Sequence, residues 1–339
     1  MPIIARAYAS ELDRSGQWLY QQILQEDNVR NPIWSLKGLT NWMKALDIEI
    51  RGEHGTTPAE QFESCRKHFS GITQRQGEVK LAPVFEPLYA ALNFSMALTS
   101  MSQENRPVPW ILPSAIVTWY YCFYNALRAV FTAQGIDAID THAWLYKRGM
   151  NSDLREKLPH PLNMVASWVR NEEYSLLLPD YPRDSNINLN RNFDGSREMA
   201  RGMLLSYLKG TADFYAGQTK EQLKKQHKFD SFRTNEAKAA RDKAIEKTIN
   251  FGYCAFRYRG KANYRDFIYL SYAPEEEVLN GFMNALSSSS QFAFVLALAF
   301  VERRLGSKTV RQFLDDVRQH MHGLDESVEE EKFWMRLLA

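Results

Sequence analysis

Apolar residues recur every three or four positions along several segments of this chain, which is the spacing of one buried helix face. The clearest example lies between Pro113 and Gly135 and consists of aromatic and aliphatic residues, namely Ile116, Trp119, Tyr120, Phe123, Leu127, Val130 and Phe131. Proline suits the first turn of a helix, and glycine is favoured just beyond the last turn. The pattern therefore predicts a buried helix over residues 113–135.

Three further segments carry helix signals at both ends. Helices are predicted over residues 194–217, 274–306 and 307–322. Asp194 or Ser196 can cap the first of these helices. In the second, a break at the serine run 287–290 is the alternative to one continuous helix. The first hundred residues contain scattered aromatic residues that indicate more helices, among them Trp18, Trp34, Trp42, Phe85 and Tyr89.

Two regions lack helical spacing. Residues 173–195 contain Pro179 and Pro182 within a polar run, which predicts a loop or linker. In residues 250–272, aromatic and polar side chains roughly alternate, and Gly260 suits a turn. This second pattern predicts a small β-hairpin.

Composition places these elements in a folded, mainly α protein. Apolar residues make up 45% of the 339 residues and charged residues 24%, which argues against disorder. The most apolar run, 291–301, is shorter than the ~20 residues of a membrane span, and the N-terminus lacks the apolar core of a signal peptide. Three widely spaced cysteines favour a reducing compartment. We therefore expect a cytoplasmic protein that does not interact with a membrane.

One pair of residues has the spacing of a catalytic pair. Arg155 and His160 form an Arg-x4-His sequence. An imidazole can exchange a proton with the 2′-hydroxyl or the leaving oxygen of RNA, while a guanidinium stabilises the charge on phosphorus, so neither a metal nor another cofactor is needed. Pro159 and Pro161 flank the histidine and place the pair beyond a helix. The alternative is that both residues are solvated charges of a loop.

A second candidate is a basic segment at residues 220–265. It contains 13 lysines and arginines against five acidic residues, although the whole chain carries a net charge of only +2. Basic groups neutralise phosphates and aromatic faces stack on bases, so the segment predicts an RNA- or DNA-binding surface. The candidate residues are Lys224, Lys225, Lys228, Arg257, Arg259, Lys261 and Arg265. The alternative is a solvated basic helix followed by a hairpin whose aromatic residues lie in the core.

Two stretches of the chain resemble the HEPN superfamily. Residues 119–136 read Trp-Tyr-Tyr-Cys-Phe-Tyr-Asn-Ala-Leu-Arg-Ala-Val-Phe-Thr-Ala-Gln-Gly-Ile and are followed by Thr141-His142. Residues 196–205, Ser-Arg-Glu-Met-Ala-Arg-Gly-Met-Leu-Leu, are similar to another helix of such a protein. The resemblance implies an antiparallel helical bundle at 106–339, preceded by an N-terminal helical region at 1–105.

The resemblance also implies a function. Many HEPN proteins are ribonucleases of toxin–antitoxin, CRISPR or phage-defence systems, and others are inactive assembly or nucleic-acid-binding modules. Active members carry Arg-x4–6-His, usually with a polar residue such as Asn, Asp or His after the arginine, whereas Glu156 follows Arg155 here. His142 matches a loop histidine that caps or packs the bundle.

Three functions remain open from the sequence. The first is a HEPN-like protein of bacterial defence or of a toxin system that binds or cleaves RNA, with dimerisation bringing two sites together. The second is a non-catalytic subunit that assembles with a protein partner or holds nucleic acid. The third is an enzyme of another class whose site comes from residues distant in sequence.

Overall fold

The computed structural model describes residues 32–77, 79–103, 111–136, 141–169, 173–176, 188–189, 191–263 and 276–320. Within these ranges the chain is mainly α-helical. The helices are α1 (Pro32–His54), α2 (Pro58–His68), α3 (Ala82–Gln103), α4 (Leu112–Gln134), α5 (His142–Lys147), α6 (Arg197–His227), α7 (Asn235–Ala244), α8 (Phe251–Asn263), α9 (Glu276–Leu305) and α10 (Ser307–His320).

A small sheet and short 3₁₀ turns complete the described part. The strands are β1 (Val165–Val169), β2 (Glu173–Leu176) and β3 (Thr248–Asn250). Strand β1 lies in the centre and pairs antiparallel with both neighbours. The 3₁₀ turns lie at Phe69–Gly71, Gly149–Asn151 and Arg155–Lys157. A mainly α fold with a small antiparallel hairpin is therefore confirmed.

Helix α4 confirms the prediction made from apolar spacing. Trp119, Tyr120, Phe123 and Phe131 are all buried, and the helix packs against α3, α8 and α9. Gly135 ends α4 with a left-handed backbone (φ 96°), and its N–H bonds back to the carbonyl of Thr132. The aromatic face of α4 thus lies in the centre of the core.

The register of side-chain contacts shows that neighbouring helices run antiparallel. In the pair α3 and α9, Ser95 Oγ lies 3.4 Å from Ser290 Oγ, and one turn further Thr99 Oγ1 lies 3.2 Å from Ser287 Oγ. The numbers rise along one helix and fall along the other. The same holds for α4 and α8, in which Phe123 packs on Phe251 and Trp119 on Tyr258. The described chain is therefore an antiparallel helical bundle.

Helix α9 is continuous across the serine run, so the alternative of a break at 287–290 is wrong. Ser289 Oγ donates to the carbonyl of Ala285 at 2.6 Å, and Ser290 Oγ donates to that of Ser287 at 2.7 Å. Hydroxyls that bond to their own helix stay satisfied in a buried position. The serines consequently join α9 to its neighbours without interrupting it.

Within α9, residues Val278–Leu305 have the length and apolar composition of a membrane-spanning helix. However, 89% of the most apolar window of this segment is buried inside the protein. It packs against α1, α2, α3, α4 and α10. A central core helix passes the same test of length and composition, so this feature is weak evidence for a membrane.

The hairpin predicted at 250–272 is wrong in position, because residues 251–263 form α8. Phe251, Cys254, Tyr258 and Ala262 are buried and recur every three or four residues, which is helical spacing. The apparent alternation came from the additional aromatic residues between them. Residues 264–272, including Arg265, lie outside the described residues.

The antiparallel hairpin instead consists of β1 and β2, with Val169 opposite Glu173. The predicted loop at 173–195 is therefore wrong over its first four residues. Within the rest of that range, residues 188–189 and 191–195 form neither helix nor strand. The next helix, α6, is capped by Ser196, which accepts from Met199 N at 3.2 Å, but it continues past Gly217 to His227.

The two predicted regions of the chain contribute to one hydrophobic core. Helices α1, α2 and α3 of the N-terminal region pack on α9. The predicted boundary near 105 falls in 104–110, outside the described residues, so the division into 1–105 and 106–339 stays a prediction.

Gly55 makes the turn between α1 and α2, and it packs closely against Glu60 at the start of α2. Its φ is +100°, and an added Cβ would lie 2.4 Å from Glu60 Cβ. Gly55→Ala should lower the free energy of unfolding by more than about 2 kcal/mol, since a left-handed alanine already costs about 1–2 kcal/mol. Gly77→Ala is the matched control, because Gly77 has φ +85° and no atom within 4 Å of its added Cβ. Equal urea midpoints for the two variants would contradict the steric part of this argument.

Candidate functional site

His142 lies where α5 begins beside α4 and α8. Thr141 caps α5 by accepting from Trp144 N at 3.1 Å, which fixes the first turn and the histidine within it. The imidazole is partly buried, and its ring centroid lies 4.7 Å from that of Tyr124 and 5.8 Å from that of Phe256. The site is thus an imidazole surrounded by aromatic rings.

Hydrogen bonds fix the tautomer of His142. Arg259 Nη1 lies 3.2 Å from His142 Nε2. A guanidinium can only donate, so Nε2 is the acceptor and the ring proton of the neutral imidazole is on Nδ1. His142 Nδ1 then donates to Tyr120 Oη at 2.9 Å. Tyr120, His142 and Arg259 therefore form one hydrogen-bonded chain.

Burial and charge set the protonation states of these three hydrogen-bonded side chains. Burial, followed by the neighbouring Arg259 guanidinium, holds the pKa of His142 below its usual value of about 6.5. Burial also raises the pKa of the Tyr120 phenol. At neutral pH the site consequently contains a neutral imidazole, a neutral phenol and one guanidinium charge.

Among the described residues, Arg259 contacts aromatic faces and no carboxylate. Its guanidinium carbon lies 5.0 Å from the Tyr120 ring centroid and 4.9 Å from that of Phe256. Arg259 Nε is buried and has no hydrogen-bond partner among the described residues. A cation whose donors are incompletely used is a favourable partner for an incoming anion.

The other predicted nucleic-acid-binding residues that the structure describes lie away from this position. Arg257 donates to Thr211 Oγ1 at 3.1 Å, and its guanidinium lies 4.7 Å from the Phe214 ring on α6. Lys224 donates to Glu221 at 3.0 Å near the end of α6. Lys225 and Lys228 are exposed at the same end, and Lys261 is partly buried on α8. Arg265 lies outside the described residues; of the six that the structure describes, Arg259 is the one placed against His142.

Arg155 and His160 contact different groups. Arg155 lies in a 3₁₀ turn and donates to the carbonyl of Asn163 at 3.1 Å and to Glu156 at 3.0 Å. His160 Nε2 lies 3.7 Å from Glu49 Oε1 on α1. Burial, the first cause, lowers the pKa of His160, and the nearby Glu49 carboxylate opposes this shift. A catalytic role for Arg155 and His160 stays a prediction.

The surroundings of His160 form an ion-paired cluster between α1 and α6. Glu49 is fully buried (0% exposed), and its Oε1 accepts from Arg197 Nη2 and from Arg201 Nε, both at 2.9 Å. Glu53 accepts from the same two arginines. The positive charges are therefore balanced by carboxylates, which indicates that this cluster joins the two helices.

Sequence reasoning missed the pairing of His142 with Arg259 because 117 residues separate them. The sequence predicts a capping or packing role for His142 and places Arg259 on an RNA- or DNA-binding surface. Within the described ranges, no group of three or more His, Cys, Asp or Glu side chains is arranged to hold a metal ion.

Comparison of the chain with protein-family models, with curated proteins and with solved structures finds no match.

Proposed function

We propose that this protein is a HEPN-like ribonuclease that binds RNA at Tyr120, His142 and Arg259 and cleaves it without a metal ion. The observation that carries the proposal is the hydrogen bond from the Arg259 guanidinium to a neutral imidazole that aromatic rings surround. Metal-independent RNA cleavage needs the same two groups, one that moves a proton and one that stabilises charge on phosphorus.

The chemistry follows from these two groups. A phosphate of the RNA draws the Arg259 guanidinium away from His142 Nε2, since a charge-assisted bond to an anion is stronger than one to a neutral ring. Nε2 is then free to accept the proton of the 2′-hydroxyl. The 2′-oxygen attacks phosphorus, the bond to the 5′-oxygen breaks, and that oxygen takes a proton from water, while the His142 imidazolium gives its extra proton back to the solvent. The products are a 2′,3′-cyclic phosphate and a 5′-hydroxyl.

The rings around the site are suited to single-stranded RNA. Tyr121, Tyr124 and Phe256 all lie within 6 Å of the His142 ring, measured between ring centroids. Aromatic faces stack on unpaired bases at about 1–3 kcal/mol per base. The 2′-hydroxyl is the nucleophile, so DNA can bind at this site but cannot be cleaved.

A second candidate function is a non-catalytic RNA- or DNA-binding subunit. The observation that favours it is that His142 Nε2 already accepts a hydrogen bond, so a bound phosphate that leaves this bond in place gives affinity without reaction. In either case we propose a cytoplasmic role in a bacterial defence or toxin system, with a protein partner or a second copy of the chain.

The proposal is tested by incubating the purified protein with end-labelled single-stranded RNA in EDTA. We expect fragments with 2′,3′-cyclic phosphate ends, and we expect no cleavage of DNA of the same sequence. If RNA binds but stays intact at every protein concentration, the ribonuclease proposal is wrong and the non-catalytic binding subunit is favoured. The absence of both binding and cleavage would overturn both.

A further inference from the structure

A cavity of about 350 Å³ lies between α6, the end of α7 and the start of α8. Its aromatic lining comes from Tyr146, Tyr215 and Tyr253, and its polar lining includes Gln218, Gln222 and Glu246. This volume is within the range of small-molecule sites, and the mixture of aromatic rings with amide and carboxylate groups fits a planar polar ligand.

The aromatic side is a compact group of rings. The Tyr253 centroid lies 4.5 Å from that of Tyr146 and 5.0 Å from that of Tyr215. Tyr253 is only 1% exposed, and its hydroxyl lies beside the Glu246 carboxylate and interacts with it. The Tyr253 hydroxyl therefore helps to orient the Glu246 carboxylate at this wall of the cavity.

The polar side combines three side-chain amides, Gln218, Gln222 and Gln226, with the Lys147 ammonium group and the Glu246 carboxylate. Gln218 and Gln222 are exposed one turn apart on α6, so both can turn donors or acceptors towards a ligand. Glu246 is partly buried, and its backbone carbonyl is anchored by the Tyr174 hydroxyl at 2.6 Å. A carboxylate can only accept, so it selects a ligand edge that carries N–H groups.

We infer that this cavity binds a nucleobase with an exocyclic amino group. A carboxylate accepts from the amino group of cytosine, side-chain amides pair with base edges, and tyrosines pack on the ring. Uracil lacks the amino group and leaves Glu246 without this donor. Tyr146 also packs on Phe256 at 5.0 Å, next to His142, so the cavity adjoins the proposed RNA site. As a subsite for RNA the inference rests on the proposed function, but the binding of a free nucleoside does not.

The test is calorimetric titration of the full chain with cytidine and with uridine. We expect saturable binding of cytidine and at least tenfold weaker binding of uridine. Glu246→Gln should weaken cytidine binding by about tenfold, whereas the exposed Glu236→Gln on α7 should leave it unchanged. Tyr253→Phe is a second, isosteric probe that should also weaken cytidine binding, and thermal unfolding shows whether each variant is folded.

Equal affinity for the two nucleosides, no saturation with either, or unchanged cytidine binding in folded Glu246→Gln would overturn the inference. The outcome is distinguishable from that of the ribonuclease assay. Cytidine binding by a protein that neither binds nor cleaves RNA would support the nucleobase site in the cavity and contradict the proposed function. RNA cleavage by a protein that binds no nucleoside would do the reverse.

Discussion

Replacing His142 with glutamine is expected to lower the rate of RNA cleavage by about 10²–10⁴-fold, which is the usual contribution of a general acid or base. Glutamine keeps hydrogen-bonding groups in place but cannot carry the proton of the 2′-hydroxyl. RNA binding should change much less, because Arg259 and the aromatic rings remain. The measurement is single-turnover cleavage of end-labelled RNA, with the dissociation constant determined in parallel.

Two histidine variants make this result specific. His227→Gln is the matched control, since His227 is exposed near the end of α6 and stacks on Phe229. Its cleavage rate should equal that of the unmodified protein. Full activity in His142→Gln together with loss of activity in folded His160→Gln would show that Arg155 and His160, and not His142, carry out the cleavage.

Removing both arginines that contact Glu49 should have the largest effect on stability. In the double variant Arg197→Ala/Arg201→Ala, the fully buried carboxylate loses the bonds at 2.9 Å that compensate its charge. Breaking a buried ion pair by removing its partner costs about 3–5 kcal/mol. Urea unfolding at neutral pH should show this loss in the free energy of unfolding.

A surface arginine and a third substitution complete the test. Arg66 is 45% exposed and contacts the exposed Glu63 at 3.0 Å and the partly buried Glu302 at 2.9 Å, so Arg66→Ala should cost only about 1 kcal/mol. Adding Glu49→Gln to the double variant should recover part of the loss, because the uncompensated charge is then gone. A double variant as stable as Arg66→Ala would show that the cluster does not hold α1 and α6 together.

Local signals predicted the helices well where a single face is buried. Helix α4 follows from its apolar spacing and from Gly135, and α6 begins at the predicted cap, Ser196. The signal failed in residues 251–263, where a helix with aromatic residues on more than one face imitates the alternation of a strand. Helix α8 is surrounded by α4, α5 and α6, and this packing cannot be inferred from its own residues.

The sequence predicts only part of the candidate site. Arg259 was recognised as a basic residue among aromatic ones, but its orientation towards His142 depends on how α5 and α8 pack. The contact between Glu49 and Arg197 spans 148 residues and is equally long-range. Spacing rules apply to residues that share one helix or turn, so they identified Arg155 and His160 and passed over pairs that tertiary packing creates.

The most direct test of the proposed site is photo-crosslinking to single-stranded RNA that contains 4-thiouridine, followed by mass spectrometry of the adducts. The account predicts adducts on the partly exposed rings around His142, at Tyr121 or Phe256, and their loss when an excess of unlabelled RNA competes. Adducts confined to the lysines at the end of α6, with none on these rings, would contradict it.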